Sequence, residues 1–196
     1  MLFEGALLAL IVGRLAGGRF HRLGRIPLRY PLLFVAALVL KALALATPSR
    51  GQWQPAAIAA PYVHLGAYAL LIAALALNWG VRDLRIIALG VGLNFLVLAA
   101  NAGYMPTDVR AVERSGQPRM VRELRAGRIG LSVVADEHSR LAFLGDRFVP
   151  PRPYPRRAPF SVGDVVITLG ACLLILRGMG AFGLRLPGAS PGAVGA

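Results

Sequence analysis

Hydrophobic positions in this chain gather into long, nearly unbroken runs, and the polar positions fall between them. Apolar runs over 2–18, 30–47, 55–79, 86–102 and 161–179 each approach the ~17–25 residues a helix needs to cross a hydrocarbon layer about 30 Å thick. Backbone crossing such a layer must satisfy its own hydrogen bonds, so the pattern predicts an all-α integral membrane protein, a bundle of about five transmembrane helices. The first and fourth runs are short, and the fifth opens on the polar residues Ser161 and Asp164. The expected organisation is a four-helix membrane region over 1–104, an Arg/Pro-rich extracytoplasmic loop over 105–160, a fifth membrane helix over 161–182 and a flexible tail over 183–196.

The charges between the runs set an orientation. Met1 to Glu4 carries no positive side chain and Arg14 and Arg19 come after the apolar stretch, so the first run reads as a retained helix rather than a cleaved signal. Four arginines lie between Arg19 and Arg29, Arg82 and Arg85 flank a short turn, and Arg177 and Arg185 follow the last run. The positive-inside rule makes these segments cytoplasmic, which puts the N-terminus outside and the C-terminus inside. The loop over 105–160 then lies outside despite eleven arginines and six acids; long translocated loops obey the rule weakly.

Composition agrees with this class, at 56% hydrophobic residues and a mean hydropathy of +0.60. The net charge of +13 invites a nucleic-acid reading. The arginines are divided between turns and one loop, however, and nucleic acid needs a single coherent basic face. Anionic lipid headgroups or a protein partner at the 105–160 loop are the partners expected beside the bilayer itself. Cys172, the single cysteine, supports neither a disulfide nor a zinc site. No cofactor or metal is implied. No internal repeat divides the runs into similar halves, which argues against a transporter.

At 56 residues the loop is too long to be a mere connection. Segments 108–114 and 119–125 are expected as short surface helices, with Pro118 near the first turn of the second. The pieces "IGLSVV" and "LAFLGDRFV" read as extended chain packed on the mouth of the bundle, and "VPPRPYPRRAP" as a stiff polyproline-like connector.

Ionisable groups inside apolar runs are costly and usually face the bundle interior or a wet cavity. The candidates are Glu4, Arg14, Lys41, His64 and Asp164, with Asn78, Asn94 and Asn101 as neutral partners. Glu4, His64, Asn101 and Asp164 all fall in the outer half of the expected bundle. Lys41 is the sole lysine, roughly 9 Å along a helix from its outer end; it either snorkels to the surface or partners Glu4. His64 shares a helical stripe with Tyr68, Leu71, Leu75 and Asn78, where a histidine is more often an interhelical hydrogen-bond partner than a ligand. Asn94 and Asn101 share a face with Gly90 and Val97. Asn94 reads as interhelical glue, whereas Asn101, followed by Ala102, Gly103 and Pro106, marks a helix end whose amide can orient a loop or a ligand. Asp146 in "LGDRF" and Asp164 in "FSVGDVV" are both expected at the outer mouth. Two carboxylates brought close cannot both ionise readily, and such a pair can activate water against an amide. The bland alternative is that Asp164 caps its helix and Asp146 pairs with Arg147 or Arg140.

The combination "NAGYMP", "RLAFLGDRF" and "FSVGDVVITLG" resembles an uncharacterised bacterial membrane family, catalogued as domain of unknown function 5317, over nearly the whole chain before the tail. That resemblance implies a membrane protein without assigned activity. Asn101-Ala-Gly103, Arg140-Leu141 through Asp146, and Phe160 through Asp164 also look like the motifs of lipoprotein signal peptidase, a membrane aspartyl protease. This second likeness implies Asp146 and Asp164 as a catalytic pair and Asn101 as a substrate-backbone ligand; His64 and Glu4, which share the outer half of the bundle, are expected in support as substrate-binding residues. Ser161 and Gly163 depart from that family's pattern, as does the count of five spans. Two functions remain open: an enzyme or lipid/peptide-binding protein with its site at the outer mouth, and a non-enzymatic scaffold or accessory subunit docking through its Arg-rich loop.

Overall fold

The computed structural model describes residues 2–46, 54–154 and 157–184. The expected tail beyond residue 184, Arg185, the end of the second run at Thr47 and two residues of the proline-rich connector lie outside these. Five apolar helices follow the five runs: α1 (Leu2–Leu15), α2 (Pro31–Ala46), α3 (Gln54–Leu77), α4 (Arg82–Ala100) and, after the loop, α7 (Val162–Met179). The loop contributes β1 (Met105–Thr107), α5 (Val109–Ser115), α6 (Pro118–Arg125), β2 (Arg128–Ile129) and β3 (Ser132–Val134). The all-α class holds, with this small three-stranded sheet as its one departure. Three helices, α3, α4 and α7, are long and apolar enough to cross a membrane. At 14 and 16 residues, α1 and α2 are shorter than the runs that announced them. Gly17, in the left-handed conformation, follows the end of α1 and takes up the rest of the first run in a turn.

Each helix has a local reason to stop where it does. Ser161 opens α7 as a capping box, its hydroxyl accepting from the Asp164 backbone while the Asp164 carboxylate accepts from the Ser161 backbone. Gly180 closes α7 in the left-handed conformation. α4 ends on Asn101, whose N–H returns to the Leu98 carbonyl. Gly103 then turns with φ of 87°, so close to Pro61 of α3 that any side chain would collide with its backbone. Asp108 caps α5, and Pro118 occupies the first turn of α6 where its missing N–H costs nothing.

α3 packs on α2 and α4, α4 on α7, and α7 on α1. The core runs through the α3/α4 seam, where Tyr68, Leu75, Leu84, Val91, Val97 and Leu98 are buried, with Phe34 of α2 and Ile167 of α7 against them. Helix α7 approaches α4 through Gly163, Gly170 and Gly90, and α1 through Gly5 and Gly13, positions where a methyl group would strike the neighbouring helix. Large apolar side chains such as Phe3, Leu8, Leu15, Leu32 and Leu38 point outward from α1 and α2. An apolar exterior of this kind suits lipid rather than water.

β1 and β3 pair in parallel, with Met105 opposite Ser132, and β2 adds antiparallel to β3. The α5–α6 pair forms the crossover that a parallel pairing requires. The sheet sits over the end of the bundle formed by the last turn of α4 and the first turns of α3 and α7.

Candidate functional site

Asp164 and Asp146 reach this loop-covered end by different routes. Asp164 is fixed by the capping box and by α4: its Oδ1 accepts from Asn94 Nδ2 at 3.0 Å and its Oδ2 from the Ser161 N–H at 3.1 Å. Ser161 Oγ in turn donates to Asn94 Oδ1 at 2.9 Å. Asn94 thus joins α4 to the start of α7 and orients the carboxylate, using both ends of its amide.

Asp146 is held by backbone alone. Its N–H donates to the Pro106 carbonyl and its own carbonyl accepts from Asp108, both at 2.9 Å, which lays it beside β1. The antiparallel bridge between Phe148 and Phe160 then folds the chain back. Asp146 lies two residues before Phe148, and α7 begins two residues after Phe160, so the register sets Asp146 alongside the first turn of α7. Its carboxylate makes no hydrogen bond or ion pair among the described residues. Neither Arg140 nor Arg147 pairs with it, contrary to the simpler expectation. The side chain is crowded by protein yet keeps some accessible surface. Its pKa is pushed up to about 8, first by burial and then by the charge of Asp164, with Lys41 opposing. A proton therefore resides on Asp146 at neutral pH, and the surface left open allows it to exchange.

Lys41 is neither at the surface nor paired with Glu4. Its Nζ donates to the Tyr68 hydroxyl at 2.9 Å and sits 4.5 Å from the centre of the Tyr68 ring. Its charge acts on both Asp146 and His64. His64 stacks edge-on against Tyr68 with ring centres 5.2 Å apart, and its Nδ1 lies 3.4 Å from the Gly103 carbonyl. The Nε2 atom is buried without a partner. Glu4 stands apart, accepting a hydrogen bond from the phenol of Tyr154 in the proline-rich connector.

Asn101 is occupied with the loop. Its Nδ2 donates to the carbonyls of Val97 and Arg140, and its Oδ1 accepts from the Arg140 N–H at 2.9 Å. The amide clamps the backbone six residues before Asp146. The structure thus gathers Asp146, Asp164, Asn94, Lys41 and His64 at one end, with Asn101 as a brace and Glu4 on the far side of α7. Tyr68 is the residue whose role the sequence left unstated; its spacing of four from His64 was the available signal. Among the described residues no three His, Cys, Asp or Glu side chains cluster as a metal site would require.

A family model described as "Family of unknown function (DUF5317)" matches residues 25–176. No curated protein and no solved structure matches the chain.

Proposed function

The chain belongs to the family of unknown function DUF5317, and from that premise we propose that it is a multi-pass protein of a bacterial cytoplasmic membrane with a two-aspartate hydrolytic site at its outer face. The arginines of 19–29 and of the 80–85 turn gather with Arg177 at the end opposite the loop, which supports a cytoplasmic placement of that end and an exterior loop. The N-terminus then lies outside and the C-terminus inside, with α1 and α2 crossing or partly crossing beside the three longer helices.

The observation that carries the hydrolytic reading is the Asp146 carboxyl, without a hydrogen bond or ion pair among the described residues and raised by burial and by the charge of Asp164, whose own carboxylate is fixed by Asn94. Environments that separate two neighbouring carboxyls into a proton donor and a base are the arrangement acid–base hydrolysis needs. In the proposed step, Asp164 accepts a proton from water as the water oxygen bonds to a carbonyl carbon. The carbonyl π pair moves to its oxygen, which takes the proton of Asp146. Collapse of the tetrahedral species expels the amine or alcohol, which takes the proton held by Asp164, and Asp146 recovers its own from the collapsing hydroxyl. A substrate held in a membrane, a peptide or an acylated lipid, suits a site at this depth.

The test is incorporation of oxygen-18 from labelled water into new carboxyl groups, using the full chain in liposomes with pools of membrane-anchored peptides and lipid esters. Asp146→Asn and Asp164→Asn should each lower incorporation by about 10³-fold or more. Incorporation unchanged in both variants, or none by the unaltered protein with either pool, overturns the reading. The alternative, an accessory subunit docking on anionic headgroups or a partner, is supported by Arg110 and Arg122, which are exposed on α5 and α6.

A further inference from the structure

Three large apolar side chains of the loop, Leu141, Phe143 and Phe148, stand exposed close together in sequence. Apolar groups gathered on a surface mark contact with another phase or a partner. The local backbone is what sends them out. Asn101, which closes the membrane-length helix α4, accepts from the Arg140 N–H and donates to the Arg140 carbonyl, so Arg140 is held on both sides. Leu141 follows with φ of 53°, a left-handed conformation that a leucine keeps only where its surroundings hold it. The single 3-10 turn Ala142–Leu144 then divides its side chains: Leu144 packs on the α3/α4 core, and Phe143 is left outside it, 58% exposed. Phe148 is set beside Phe160 at the start of α7, with ring centres 5.7 Å apart.

These side chains lie where the apolar exterior of the bundle ends. The exposed stripe of α4 runs through Leu89 and Leu96 toward Asn101, and that of α7 begins with Val165 and Leu169, just past Phe160. On α3, Tyr62 is 66% exposed, and its neighbour Pro61 lies against Gly103, so Tyr62 shares the height of the Asn101 clamp. Trp79, exposed beside Arg85, follows Tyr62 at a helical rise that separates the two by ~25 Å. A hydrocarbon layer is about 30 Å thick, and aromatic side chains gather at both of its borders. Tyr62 and Trp79 therefore mark the two borders, and Phe143 and Phe148 fall at the one on the loop side. Arg140 and Arg147 flank them, exposed and of the charge that headgroup phosphates attract. We infer that Arg140–Phe148 is an interfacial anchor: Leu141, Phe143 and Phe148 enter the phospholipid leaflet on the loop side, with Arg140 and Arg147 at its phosphates. This part of the loop then lies in the membrane border rather than in water. Asp146 falls within the segment, so the anchor also sets the candidate site at headgroup height.

The inference rests on the membrane placement proposed above and on no catalytic step, so its test needs no substrate. A nitroxide is attached at position 143 after Phe143→Cys, in the full chain in liposomes of phosphatidylcholine and phosphatidylglycerol. Cys172→Ser removes the native thiol while its hydroxyl keeps a donor for the Gly5 carbonyl. Depth is read from collision with oxygen, which concentrates in lipid, against collision with a neutral nickel chelate, which stays in water. Leu89→Cys and Glu137→Cys supply the references, the first on the apolar stripe of α4 and the second on an exposed turn of the loop. The label at 143 should lie about 5–10 Å below the lipid phosphates, shallower than the label at 89 and deeper than that at 137. Asn101→Ala, which frees Arg140, should raise it toward the reading at 137 and narrow its spectrum. A nickel collision rate at 143 equal to that at 137 overturns the anchor. A label shielded from both reagents and broadened by a second nitroxide also overturns it, and would put another copy of the chain on this surface. A depth unchanged by Asn101→Ala overturns the part assigned to the clamp. A label at 89 that reads as water-exposed overturns the membrane placement itself.

Discussion

The two ends of the α4–α7 pair treat buried acids in opposite ways. At the end away from the loop, Asp83 has no accessible surface and receives Arg177 Nη1 at 2.6 Å. Its other oxygen, Oδ2, stays buried without a partner, while the neighbouring Asn78 exchanges two hydrogen bonds with the Arg29 backbone, at 2.6 and 2.9 Å. At the loop-covered end Asp164 meets only neutral donors and Asp146 meets none. Scarcity of cations does not explain the difference, because eleven arginines lie between residues 105 and 160 and two of them, Arg140 and Arg147, are close to Asp146 in sequence. Two others of those arginines are taken up in the surface pairs Arg119–Glu123 and Arg125–Glu113. An acid serving only to hold helices together gains from a guanidinium; an acid that must exchange a proton is disabled by one.

The largest test of this contrast is to remove one partner at each end. Arg177→Met should cost about 3 kcal/mol, the lower end of the range for orphaning a buried ion, because Arg177 itself is partly exposed. Asp146→Asn should change stability by no more than about 0.5 kcal/mol at a pH below the unfolded value, where the amide replaces a carboxyl uncharged in both states, and should raise it at neutral pH, where the unfolded carboxylate must take up a proton to fold. Reversible unfolding in mixed lipid–detergent micelles measures both. Equal losses would show that Asp146 is a structural acid like Asp83, and the contrast would collapse.

A second effect follows from pH. The Asp146 carboxyl moves from an ordinary 3.8 to about 8 on folding. The native state therefore binds the proton more tightly than the unfolded chain, and the stability so gained is full below the unfolded value. It is lost as pH rises toward the folded value, at a limiting slope of about 1.4 kcal/mol per unit. Asp146→Asn should flatten the decline across this window. An unchanged slope in the variant would assign the pH dependence to another group.

How much of this was legible before the structure differed by the kind of contact. The five helices were readable because long apolar runs need no partner to be recognised, and the loop helices because Asp108 and Pro118 are local signals. The capping of α7 was equally local, since Ser161 and Asp164 are three residues apart. The sheet was not readable: strands of two and three residues are too short for alternation to register, and β1 finds its partner in β3 27 positions further along the chain. Lys41 was placed with the wrong candidates because its partner lies on another helix, and Tyr68 looked like one more residue of an apolar stripe. Asp146 was marked only by the apolar approach in "LGDRF", and nothing local said that no arginine would pair with it. Its meaning depends on the Phe148–Phe160 bridge that brings it to α7.

The smallest expected effect falls on Asn94, where the two behaviours meet. It lies on the face of α4 that includes Gly90 and Val97, and by burial it belongs to the core. By its contacts it belongs to the candidate site, since its amide both receives Ser161 and donates to Asp164. Asn94→Leu keeps the volume and removes both bonds, and hydrogen bonds between helices in lipid average only ~0.6 kcal/mol each, so the loss of stability should be about 1 kcal/mol. The same change frees one oxygen of Asp164 from its only contact with α4, so its effect on proton exchange should exceed its effect on stability. Carbodiimide labelling of Asp146, followed against pH beside an unfolding curve of the same variant, separates the two. A variant that loses stability while the labelling of Asp146 stays fixed would make Asn94 a fastener only, and would place the boundary between framework and site one helix turn nearer the loop.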